Sequence, residues 1–141
     1  MKIEAWLLLP AFVHVAQITM IGMRMGLARY KAVRTGRVRI KDVALDNSAW
    51  PDDVKKLANN YRNQFELPVL YYAALAFILA TGLVDWPAAV LSWGFIASRV
   101  VHTLIHTGAN VVVRRFQVFL AGFAMIVLLW AWFGLRLFVI G

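Results

Sequence analysis

Four long apolar blocks, at roughly residues 5–28, 65–84, 86–107 and 116–140, constrain this chain more than any other feature. A helix that crosses the hydrocarbon core of a bilayer needs about 20 apolar residues. Within lipid only helices and closed barrels satisfy every backbone polar group internally, and blocks of this length suit helices. Hydrophobic residues make up 62% of the 141 residues, more than a soluble domain of this size can hide. The sequence therefore predicts an all-α integral membrane protein, a bundle of four transmembrane helices in which residues 1–141 form one domain. Lys2 and the apolar stretch after it imitate a signal peptide. That stretch is too long, contains His14, Gln17 and Arg24, and lacks a small-residue cleavage site, so it reads as an uncleaved first span.

The charges set an orientation. The formal net charge is +8, but the cations lie beside the apolar blocks, which points to lipid headgroups and topology rather than to nucleic acid. The segment 29–64 carries nine Lys or Arg against four Asp, the segment 107–115 carries Arg114 and Arg115, and 82–87 carries no cation. The positive-inside rule puts the first and third connections in the cytoplasm and both termini outside, with Arg136 near the outer end as an exception that snorkels. The basic loop and short connections suit a bacterial inner membrane, and an endoplasmic reticulum protein would read similarly. Gly36 predicts a turn, Trp50 a position at headgroup level, and Asp52 or Asp53 the N-cap of a helix starting near Val54. Pro68 predicts a kink, Pro87 the first turn of the third span, and Gly108-Ala109-Asn110 its end.

Polar residues inside spans are costly and need partners. His14, Gln17 and Arg24 share one face of the first span by their spacing. Asn59, Arg62, Asn63 and Glu66 fall at i, i+3, i+4 and i+7, and Arg99, His102 and His106 at i, i+3 and i+7, each set forming one stripe. With Arg115 these stripes can converge on a polar cavity near the cytoplasmic ends of the helices. A bland arrangement has Arg62 pairing with Glu66, or Arg99 with Glu66 across helices, to hold the bundle together; His14 reads as a satisfied packing histidine. A functional arrangement is an anion site. There Arg62, Arg99 and Arg115 outnumber Glu66, arginine forks take carboxylates and Glu66 takes an ammonium. Glutathione and a phospholipid headgroup both fit that charge pattern. Cysteine is absent and the three histidines lie in different settings, so no metal site is expected. An internal repeat and broken-helix pairs are lacking, which argues against a transporter.

The run Asn60-Tyr61-Arg62-Asn63-Gln64-Phe65-Glu66-Leu67-Pro68, then Arg99-Val100-Val101-His102, then Arg114-Arg115, resembles the MAPEG family of membrane-associated proteins in eicosanoid and glutathione metabolism. The resemblance extends over essentially the whole chain, and the Glu66-to-Arg99 spacing is similar to that of the prostaglandin E synthase branch. It implies a four-helix bundle that assembles as a homotrimer in contact with membrane lipids. It also implies glutathione bound between subunits and a transferase or peroxidase activity on lipophilic small molecules. By the same resemblance Arg62, Asn63, Glu66, Arg99 and His102 match glutathione-binding positions. Arg115 matches the arginine that stabilises the thiolate, and His106 stands where the branch has a tyrosine and takes a catalytic hydrogen-bonding role. Phe116 and Phe119 replace a polar residue and a tyrosine of that pattern. The alternative is a non-catalytic trimer that binds lipid or another anion in the equivalent pocket.

Overall fold

A computed structural model describes residues 1–140. Helix α1 runs from Ile3 to Arg34, 32 residues, or about 48 Å at 1.5 Å per residue. That exceeds a hydrocarbon core of about 30 Å, so the turns carrying Arg29, Lys31 and Arg34 project beyond it. Gly36, at a φ of 69°, makes the turn expected of it. A short helix α2 (Ile40–Val43) and a 3₁₀ turn (Asn47–Ala49) follow. The loop is tied by ion pairs, Arg37 to Asp53 at 2.8 Å and Arg39 to Asp42 at 2.7 Å.

The second span is two helices. Helix α3 (Asp52–Asn63) ends at Gln64, and α4 (Pro68–Ala80) begins at the proline, so the expected kink is a full break with Phe65-Glu66-Leu67 between the helices. The reason is local. Pro68 has no N–H to give the carbonyl four residues back, whereas its fixed φ suits a first helical position. Pro51 precedes α3, and Asp52 and Asp53 lie in its first turn rather than capping it. Helix α5 (Trp86–Thr107) is capped by Asp85, whose carboxylate accepts from Ala88 N at 3.0 Å. Asn110, in the left-handed region at a φ of 52°, follows the Gly108 break. Helix α6 (Val112–Leu135) continues as a π-helical turn, Arg136–Ile140, and takes in Arg114 and Arg115 within its first turn.

All four spans are long and apolar enough to cross a membrane. Phe12, Val15, Leu104, Phe123, Val127 and Leu128 stand exposed, which suits lipid rather than water. Leu7, Tyr71, Ile78, Phe95, Ile96, Ile126 and Leu129 fill the interior. Helix α5 packs against α6 and α1. The α5–α6 seam is close because Gly122 lies against Ser98 and Gly94 against Met125, the small-residue contact by which helices approach in lipid. At the far end Asp85 also accepts from Trp132 Nε1 at 2.9 Å and pairs with Arg136 at 3.5 Å. Arg136 is thus explained by a carboxylate partner as well as by its position.

Candidate functional site

Two polar clusters sit inside the bundle. The first is closed. His14 and Gln17, both buried on α1, meet α3 and α5. His14 Nε2 lies 3.0 Å from Gln64 Oε1, and His14 Nδ1 lies 2.8 Å from Tyr72 Oη. Gln64 Nε2 donates to Asn60 O at 3.0 Å and to Thr103 Oγ1 at 3.2 Å, so its Oε1 faces the histidine as acceptor. That polarity puts the His14 proton on Nε2 and makes Tyr72 the donor to Nδ1. Gln17 Nε2 donates to Thr103 Oγ1 at 2.6 Å and to Arg99 O at 3.2 Å. The expectation of a satisfied His14 holds. Arg24, on the same face, is exposed near Asp52, Asp53 and Lys56 and does not join the cluster.

The second cluster is open. Arg99, His102 and His106 form the buried stripe on α5 that their spacing predicts. Arg99, 2% exposed, donates from Nη2 to Asn63 O at 3.0 Å. That carbonyl is free because α3 ends there, and helix ends leave carbonyls without intrahelical donors. The two imidazoles stand edge to face with centres 5.6 Å apart. Their buried Nδ1 atoms, and Arg99 Nε, find no protein partner among the described residues. Two adjoining cavities open in front of the histidines. One, of about 210 Å³, is lined by Asn63, His102, Val112, Arg115, Phe116 and Phe119. The other, of about 400 Å³, is lined by Asn59, His106, Asn110 and Arg115, with Asp52, Lys55 and Lys56. Arg115 belongs to both. Its Nη1 donates to Asn110 Oδ1 at 2.9 Å, so the left-handed turn before α6 aims the guanidinium at the groove. Three cations face one carboxylate in the larger cavity.

The stripe expected on the second span is only partly realised. Asn63 lines the groove. Arg62 is exposed and lines a neighbouring cavity that shares Lys55 and Asn59 with the larger groove cavity. Glu66 lies beyond the end of α3, exposed, and lines neither groove cavity. Among the described residues it pairs with neither Arg62 nor Arg99. The break at Pro68 is the cause, since extending α3's helical phase through residue 66 is not possible there. Asn60, Gln64, Thr103 and Tyr72 escaped the sequence reading. Two signals for them were present: His14 and Gln17 needed partners at their depth, and Asn60 and Gln64 stand one turn apart.

Residues 7–135 match the MAPEG family model. The chain belongs to the MAPEG family. Neither the curated proteins nor the solved structures yield a match. Membership agrees with the four spans and makes this chain an integral membrane protein of the family associated with glutathione and eicosanoid metabolism. In this MAPEG protein His102 and His106 of α5 and Arg115 in the first turn of α6 meet at one groove, although they are distant in sequence.

Proposed function

We propose that this MAPEG protein is a homotrimeric, glutathione-dependent transferase or peroxidase acting on lipophilic molecules that reach it from the bilayer. The observation that carries the reading is the convergence of His102, His106, Asn63 and Arg115 on one cation-rich groove whose buried imidazole nitrogens lack protein partners. Buried donors and acceptors without partners are destabilising, and this set fits a small peptide with carboxylates and a thiol. Glutathione supplies the sulfur nucleophile when bound. Arg115 holds negative charge at the thiol, because a neighbouring cation favours the thiolate. His106 donates a hydrogen bond in the tyrosine's place, and His102, Asn63 and Arg99 fix the peptide. Glu66, exposed and outside both groove cavities, takes no part in this reading. Phe116 and Phe119, both exposed, give the lipophilic substrate an apolar wall.

Those same phenylalanines favour one alternative, a non-catalytic trimer holding a lipid or another anion in the groove. Calorimetry and thermal shift in detergent separate the readings. Glutathione binding supports the enzyme, and tightly co-purifying phospholipid with no glutathione effect supports the alternative. The charge asymmetry supports a bacterial inner membrane with both termini on the non-cytoplasmic side. Single cysteines at Thr35 and Thr81 should then label from opposite sides of the membrane.

A further inference from the structure

A larger cavity, of about 560 Å³, adjoins the groove through Lys55 and Asn59 and lies against the basic end of α1 and the Asn47–Trp50 turn. Arg29, Arg62 and Lys55 line it, and no carboxylate does. Lys55 is held by Asp52 at 2.8 Å. Arg29 and Arg62 make no ion pair among the described residues, and the buried Nε of Arg29 finds no protein acceptor. The guanidinium of Arg29 lies 5.2 Å from the centre of the Trp50 ring, a cation–π contact that fixes its plane. Met25, Trp50 and Phe65 complete the lining with apolar surface, and Phe65 is half exposed.

We infer that this cavity is a specific site for the phosphate of an anionic phospholipid. Arg29 and Arg62 face the oxyanion, and Met25 and Phe65 face the glycerol and upper acyl chain. Guanidinium forks match phosphate oxygens in geometry and charge, and the partnerless Nε of Arg29 gains an acceptor. A free phosphate shares this chemistry but makes no use of the apolar wall. The position at the end of α1, where the span leaves the hydrocarbon beside an interfacial tryptophan, is that of a lipid headgroup. A zwitterionic headgroup fits less well, because no lining carboxylate takes its cation and Arg29 already occupies the face of Trp50. The site adjoins the proposed glutathione groove through Lys55 and Asn59 but is built from Arg29, Arg62 and Trp50, none of which lines that groove.

Native mass spectrometry of the full-length protein in detergent tests it, with phosphatidylglycerol, phosphatidylcholine and glycerol 3-phosphate as probes. Phosphatidylglycerol should bind about tenfold or more tighter than phosphatidylcholine, as expected for charge-assisted hydrogen bonds. The double variant Arg29→Ala/Arg62→Ala should lose at least about tenfold in affinity for it. Lys31→Ala/Arg34→Ala, which removes equal charge from the same end outside the cavity, should stay within about twofold. Circular dichroism checks folding. If the first double variant does not fold, Arg62→Ala alone, at an exposed position, should weaken binding severalfold. Equal binding of the two lipids, equal losses in the two double variants, or displacement of phosphatidylglycerol by glycerol 3-phosphate at matched concentration would each overturn the assignment.

Discussion

The two polar clusters inside the bundle contain similar residue types and differ in how their imidazoles are bonded. Around His14 both ring nitrogens and the Gln64 amide have protein partners, while Gln17 Oε1 and Asn60 Nδ2 have none among the described residues. Around His102 and His106 the buried Nδ1 atoms have none, and the space in front of them is a cationic groove. Low-dielectric surroundings strengthen satisfied networks and penalise incomplete ones. The closed cluster therefore joins α1, α3, α4 and α5, and the open one leaves its Nδ1 atoms facing the groove that we propose as the ligand site. Residue type alone does not separate the two roles; the bonding of the imidazoles and the cationic groove in front of one pair do.

Breaking the closed cluster should have the largest effect. Gln64→Ala removes the acceptor from His14 and leaves a void, and should lower stability by about 3–5 kcal/mol, read by thermal unfolding in detergent. A matched pair of histidine variants sharpens the contrast. His14→Phe strands Tyr72 Oη and Gln64 Oε1 and should cost about 2–4 kcal/mol. His106→Phe removes a nitrogen that already lacks a protein partner, so it should change stability by less than about 1 kcal/mol while weakening glutathione binding. Equal destabilisation by both would erase the distinction drawn here.

How much of this was legible in sequence follows from where polarity contrasts with its surroundings. The four spans were, because uninterrupted apolar runs admit one reading in lipid. The α5 stripe was too, because Arg99, His102 and His106 are isolated among apolar residues and their period is unambiguous. In α3 nearly every residue from Asn59 to Glu66 is polar, so no face stands out and helical phase is undetermined by the pattern. Packing chose Asn60 and Gln64 for the interior and left Arg62 outside. The Pro68 break then removed Glu66 from the helix, which a periodicity drawn straight through it misses.

The smallest expected effect lies in the exposed loop. The Ser48 hydroxyl and N–H donate to the Asp46 carboxylate and hold its pKa below the usual 3.8. A lowered carboxylate pKa contributes stability above the unfolded value, and that contribution is lost as pH falls through the folded one. Amide exchange at Ser48, relative to its intrinsic rate, should therefore quicken below about pH 4, and in Asp46→Asn it should be quickened already at neutral pH and show no such step. The two buried clusters should show no matching change.

The central claim is that the open groove binds glutathione while the closed cluster only supports it. Its most direct measurement is glutathione titrated into wild type, Arg115→Ala and Gln64→Ala below their melting temperatures, followed by calorimetry and by the ultraviolet absorbance of bound thiolate. Wild type and Gln64→Ala should both bind and both show the thiolate. Arg115→Ala should bind within about tenfold of wild type and show no thiolate, since the cation that lowers the thiol pKa from about 8.5 is gone. A wild type that neither binds glutathione nor ionises it, or an Arg115→Ala protein that retains the thiolate band, would contradict the account.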